Sequence, residues 1–204
     1  QSRSSAASDV YKRQVPEGAQ VTHALDASML TGLDAVIEEA TKAFENYDQA
    51  KALEVTEAFF WTFCDDYLEL VKERAYNQND VGQASAALAL RLALSTLLRL
   101  LAPIISFATE EVWSWFEEGS VHTAAWPETL GIEGDTAVLS AASEALIGIR
   151  RAKTEAKASQ KTPVSRAAIA APAAKLEALR AAADDLRAVG RIAELEFTEA
   201  GELS

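Results

Sequence analysis

Residues 59–72 read FFWTFCDDYLELVK, from Phe59 to Lys72. With the residues just upstream, this stretch decides the fold class. Leu53, Thr56, Phe60, Phe63, Tyr67 and Leu70 recur at three- and four-residue steps, the spacing that gathers side chains on one face of an α-helix. That face is apolar, so the helix must bury it against partners of the same kind. Asp48 precedes it as an N-cap, with a carboxylate placed to accept from the first free amides. The same spacing recurs upstream in Leu30, Leu33, Ile37, Ala40 and Phe44, and downstream in Leu90, Leu94, Leu97, Leu101 and Ile104. Pro103 must kink or end that downstream helix, because its ring removes a donor and clashes with the preceding turn. Thr109, followed by Glu110 and Glu111, predicts a short fourth helix that starts there and ends near Gly119. Asn77 to Gly82 is a turn cluster. Three long helices and a short one, joined by short turns, make an antiparallel bundle over residues 25–118.

Beyond the bundle the pattern changes. Residues 119–135 form a glycine-containing loop with the step Trp126-Pro127 inside it. Val138, Ala142, Ala145, Ile149 and Ala152 mark another helix. Val164 to Ala170 reads as a strand, Ala173 to Val189 as a helix, and Arg191 to Thr198 as an alternating strand. Residues 136–204 are therefore expected to be a small α+β unit. The fold class is mainly α: a helix bundle followed by that unit. Residues 1–14 are polar and aperiodic and are expected to be a disordered or foreign tail, with a lead-in to residue 24.

Composition narrows the function. The single cysteine, Cys64, excludes an internal disulfide and a thiolate metal cluster. His23 and His122 are far apart in the chain, and no metal site is expected. No apolar run is read as a membrane span, and no secretory signal is found, so a cytoplasmic location is expected. The net charge of −12 argues against a nucleic-acid partner when taken as a whole. The charge is unevenly spread, however. Residues 26–70 hold eleven acids and two lysines, whereas residues 145–175 hold seven basic residues and one acid. An anionic partner would dock on the second segment and be repelled by the first.

Within it Arg150, Lys153 and Lys157, at i, i+3 and i+7, are expected on one side of a helix, with Arg151, Lys161 and Arg166 extending the patch. Such residues contact phosphate by tracking a backbone and releasing its counterions. A solubilising face is the plainer reading. Lys72, Arg74, Arg91 and Arg99 form a second cationic group, suited to base edges of an unstacked loop. Arg99 has an alternative pairing with Glu110 or Glu111. The remaining candidates favour structure over chemistry. Cys64 lacks a histidine partner for nucleophilic catalysis. Asp65, Asp66 and Glu69 read as a solvated or ion-paired helix face. Trp113 and Trp126 read as packing, with base stacking by these or Trp115 the lesser reading. No catalytic residue is expected in this chain.

Specific motifs add a resemblance. The stretch holding Phe60, Trp61, Phe63, Cys64, Asp65, Asp66, Tyr67, Leu68, Glu69 and Lys72 is similar to a signature of valyl-tRNA synthetases, which are class I aminoacyl-tRNA synthetases. Upstream, Phe44, Asn46, Tyr47, Ala50, Ala52 and Leu53 fit the same family. Residues 98–113, LRLLAPIISFATEEVW, resemble a second family block through Leu101, Pro103, Phe107, Thr109, Glu110, Glu111 and Trp113. Ala102 and Ser106 depart from it, standing where the family usually has histidine and proline. Ser120, Val121, His122, Trp126 and Pro127 fit a third block. Ile149, Arg150 and Arg151, through Glu155 to Lys161, fit a fourth.

The resemblance implies the anticodon-binding, C-terminal part of a valine–tRNA ligase, with the first helix of the bundle missing. A missing helix would leave an apolar groove exposed. The nucleotide-binding signatures of class I synthetases do not occur in the sequence, so ATP with magnesium is expected to act elsewhere in the full enzyme, and this chain is expected to hold no cofactor. The implied partners are tRNA(Val) and the catalytic and editing domains of the same protein, with no membrane and no DNA. A fragment of an isoleucyl-type synthetase and a free-standing helical interaction module are the alternatives.

Overall fold

The computed structural model describes residues 15–77 and 79–201; the expectation for residues 1–14 lies outside them. The chain is mainly helical. Helix α1 spans Ala24–Glu45 and α2 spans Gln49–Thr62. Asp48 caps α2 as expected, accepting from the Lys51 amide at 2.9 Å. A π-helical turn, Phe63–Tyr67, then leads directly into α3, Leu68–Tyr76. The regular helix expected here is thus interrupted, with the Leu68 amide reaching back to the Phe63 carbonyl. Such turns concentrate where a side chain is placed for a purpose. Here Phe63 and Tyr67 are both buried, and their rings stack at 5.8 Å. Leu53 and Phe60, expected on the buried stripe, are only half buried, and Ala52 takes the core position instead.

Helix α4 spans Gln83–Leu101 and ends two residues before Pro103. By length and hydropathy alone it is apolar enough to cross a bilayer, which the sequence reading did not expect. Its apolar side is core: Ala86, Ala89, Leu90, Ala93, Leu97 and Leu100 pack among α1, α2 and α3. Helix α5 covers Ser106–Trp113, so Thr109 lies inside it and not at its start. The Thr109 hydroxyl bonds back to the Ile105 and Ser106 carbonyls, a common fate of threonine within a helix. Leu98, Ala102, Trp113 and Val121 form a small satellite core beneath α5.

The connection after α5 makes a 3₁₀ turn at Val121–Thr123 and then runs along α1. Trp126 donates to Thr41 at 2.8 Å and packs edge-on against Phe44. Asp34 accepts from the Leu130 and Gly131 amides. Gly134 passes so near α1 that a Cβ would lie 2.5 Å from the Ala27 carbonyl carbon.

Helix α6, Ala137–Glu155, packs on α1. Strand β1, Val164–Ala171, pairs in parallel with β2, Ile192–Glu199, from Val164↔Ile192 to Ala171↔Glu199. Parallel pairing requires a crossover. It is made by two helices, α7 (Ala173–Ala181) and α8 (Ala183–Gly190), where one was expected. The break at Ala182 lets α7 lie on α6 while α8 lies on α3. One apolar cluster runs from Leu25 in α1 to Leu186 in α8, so the bundle and the β-α-α-β segment share a core.

Candidate nucleic-acid interface

Two of the ten cations singled out in the sequence are interior. Arg74 is 6% exposed and uses all five guanidinium donors. Nε and Nη2 donate to Asp185, Nη1 and Nη2 to Asp26, and Nη1 also to the Gly82 carbonyl, all within 2.8–3.2 Å. Asp26 additionally accepts from the Tyr67 and Ser85 hydroxyls at 2.7 and 2.6 Å. Burial works against the Arg74 charge, but the hydrogen bonds it donates to Asp26 and Asp185 outweigh it and push the guanidinium above its usual range. Burial raises the Asp185 carboxyl against the pull of Arg74. Arg74 therefore bolts α1, α3 and α8 together, and it is withdrawn from the base-reading group.

Lys153 is likewise 6% exposed. Its ammonium donates to the carbonyls of Gln160, Thr162 and Gly190 at 2.9, 2.9 and 2.7 Å. It cannot share a surface with Arg150 and Lys157, because its side chain turns inward. Lys157 is also not helical: α6 ends at Glu155, and Lys157 takes φ +52° beyond it. The expected i, i+3, i+7 face does not form.

Other candidates are engaged, Arg166 and Arg151 at exposed positions and Arg91 and Arg99 half buried. Arg166 grips Glu196 with both oxygens at 2.8 Å, and Arg151 meets Glu155 at 2.8 Å. Arg91 pairs with Glu117 at 2.7 Å and lies over the Phe116 ring. Arg99 donates to the Ser95 and Ala125 carbonyls and not to Glu110 or Glu111. Glu110 instead accepts from Ser120 and the Val121 amide. Burial lowers the Arg99 guanidinium somewhat.

The structure brings three of the remaining four together, Lys72, Arg150 and Lys161; Lys157 is exposed and does not line their groove. A groove of about 470 Å³ lies where α3, α6 and α8 meet. Lys72, Arg150, Lys161 and Arg191 line it, with Glu69 and Glu73 on the α3 side. It adjoins a shallower groove of about 740 Å³ that shares Glu73 and Arg191 and adds Arg187. Lys72 is only loosely held by Glu69, at 3.8 Å. Arg150 donates to the Asp65 carbonyl, and Arg191 to the Lys161 carbonyl. Among the described residues, no carboxylate is ion-paired with Arg150, Lys157, Lys161 or Arg191. In a chain of net charge −12, a groove edged by unneutralised cations is a local field for an anion.

Arg187 and Arg191 were missed in the sequence because they sit at a helix–strand junction, outside the basic segment. Their spacing of four across the end of α8 was the available signal: both line the shallower groove, although Arg191 has already left the helix at φ +52°. Among the tryptophans, Trp113 is buried, Trp115 donates to Glu111 at 3.1 Å, and Trp126 packs on Phe44. No group of carboxylates, histidines or the cysteine is arranged to hold a metal among the described residues.

Residues 26–169 match the family described as the anticodon-binding domain of tRNA ligase, and the chain belongs to that family. The match begins at Asp26, the buried acid that anchors Arg74, and ends within β1. Its curated relatives include valine–tRNA ligases. That of Leifsonia xyli subsp. xyli is 59% identical over 190 residues, covering 91% of this chain and 22% of its own length. Those of Thermobifida fusca and Cutibacterium acnes are 50% and 47% identical, covering 90% and 91% of this chain and 21% and 22% of their own lengths. The chain thus spans about a fifth of the length of these relatives.

Proposed function

We propose that this chain is the tRNA-holding part of a valine–tRNA ligase and that it orients tRNA(Val) for aminoacylation. Activation of valine with ATP and magnesium, and editing, belong on this reading to catalytic and editing domains outside the chain, in a cytoplasmic enzyme. The relatives' names favour valine over isoleucine. The observation that carries the reading is the junction groove, where Lys72, Arg150, Lys161 and Arg191 converge. Such cations fix the register of a sugar–phosphate backbone without reading sequence. The chain itself contributes positioning: binding energy far from the reacting centre holds the acceptor end in place. The acidic face of α1 and α2 turns away any phosphate that docks elsewhere.

The test is filter binding of a tRNA(Val) transcript at roughly 50 and 200 mM salt. Replacing Arg150, Lys161 and Arg191 together by alanine is expected to cut affinity by at least tenfold. It should also flatten the logarithmic salt dependence by roughly 0.7–0.9 for each phosphate no longer neutralised, about two to three in all. Replacing Arg151 and Arg166, already neutralised by Glu155 and Glu196, is expected to change affinity less than twofold. An unchanged salt slope in the triple variant would reject the groove as the docking site.

A further inference from the structure

We infer that Lys153 is a positioning residue: without touching RNA, it organises Lys161 and Arg191 into one seat for backbone phosphate. The inference rests on the tRNA-holding role proposed above and adds to it the device that presets the groove.

Three observations converge. The first is the choice of acceptors. The Lys153 ammonium has three donors, and all are used, on the carbonyls of Gln160, Thr162 and Gly190. Gln160 and Thr162 flank Lys161, and Gly190 precedes Arg191. One buried cation therefore ties the loop carrying Lys161 to the turn carrying Arg191. The Arg191 guanidinium donates to the Lys161 carbonyl, and the Val164 amide to the Arg191 carbonyl, closing the same knot.

The second is backbone conformation. Among the described residues, three non-glycine positions have positive φ: Tyr47, Lys157 and Arg191. Lys157 follows α6 in the left-handed cap that usually takes glycine, with its amide bonded to the Thr154 carbonyl and the Ala158 amide to the Lys153 carbonyl. Arg191, at φ +52° and ψ 45°, caps α8 in the same way. Both helices thus end on a long cationic side chain at the very position where glycine is least strained. Strain kept at a cap points to use of the side chain.

The third is electrostatic. The C-terminal carbonyls of a helix carry partial negative charge and repel a nearby phosphate. Gly190 supplies such a carbonyl, and Lys153 covers it at 2.7 Å. Burial and the nearby Arg191 hold the Lys153 ammonium below the ordinary lysine range. With the carbonyls so occupied, the charges of Lys161 and Arg191 are left for an outside anion.

The test uses the full chain and a tRNA(Val) transcript. Arg191→Gly is expected to lower affinity several-fold at little cost in melting temperature, because relief of the left-handed backbone offsets the lost bond to the Lys161 carbonyl, a split that a merely structural role does not produce. Lys153→Met is expected to lower affinity about tenfold and to reduce the salt slope by more than one charge, because the whole seat is dismantled. Should Lys153→Met fail to fold, amine labelling of the unaltered chain with acetic anhydride decides the matter. Lys161 should label freely and be protected by tRNA, and Lys153 should stay unlabelled in both states. Labelling of Lys153 that tRNA suppresses would make it a direct contact and overturn the inference. So would unchanged affinity in Arg191→Gly. If the unaltered chain shows no salt-dependent tRNA binding, the tRNA-holding role falls and this inference with it. If it binds but ignores the Arg191→Gly substitution, only the inference fails.

Discussion

Replacing Arg74 by methionine tests the junction on which the groove is built. Methionine keeps much of the apolar stem and removes the five donated hydrogen bonds. Asp26 would retain the Tyr67 and Ser85 hydroxyls. Asp185 would lose both guanidinium donors and face only His23, at 3.8 Å. Removing one member of a buried ion pair costs about 3–5 kcal/mol, chiefly because the partner's charge is stranded. For a domain of this size that lowers the melting temperature by roughly 6–20 °C. The pH dependence carries the sign. Burial already raises the Asp185 carboxyl in the folded chain, and loss of Arg74 raises it further. A carboxyl raised on folding destabilises most above its folded value and least below its unfolded value. The deficit of Arg74→Met should therefore be full near neutral pH and shrink as the pH falls towards about 4. Adding Asp185→Asn to Arg74→Met should recover part of the loss at neutral pH and little at the acidic end. Urea melts at both pH values measure this. A cost below about 1 kcal/mol at neutral pH would refute the claim that the network joins the elements. A cost that does not depend on pH would refute the role given to Asp185.

Two further outcomes follow from local geometry. Burial, aided by Asp65, pushes the Cys64 thiol up to about 11, so at pH 8 only about one thiol in a thousand is ionised. Alkylation by iodoacetamide should be slow at pH 8 and keep rising past pH 10; a rate that levels off below pH 9 would contradict the buried setting. Gly134→Ala would press a Cβ to 2.5 Å from the Ala27 carbonyl carbon and 2.7 Å from the Ser28 nitrogen, both backbone atoms. Its cost should be about 1–3 kcal/mol by denaturant unfolding, whereas a neutral result would show that the 124–134 connection can lift off α1.

The helices were legible in the sequence because burial imposes a period, and a period survives in one dimension. Asp48 and Pro103 marked ends for equally local reasons, a carboxylate beside free amides and a missing N–H. What the period does not reveal is the partner of a residue on the buried face. Arg74 lies four residues after Leu70, and Asp26 four before Leu30, so each continues an apolar stripe into a charge. Taken singly, each looked like a surface residue. Taken as opposite charges on two core stripes, they specify an ion pair, because neither can stay charged in the interior alone. Lys153 follows the same logic, four residues after Ile149 on the inward face of α6, but its partners are backbone carbonyls, which no side-chain pattern announces. Cation count along the chain was therefore a poor guide to the interface. Arg166 and Arg91 are neutralised by acids 30 and 26 residues away, Arg151 by Glu155 one helical turn on, and Arg191 emerges at a helix cap where a glycine was the conformational default. The surface that remains charged is decided by which cations the fold leaves without a carboxylate, and that subtraction requires the three-dimensional neighbours of every one of them.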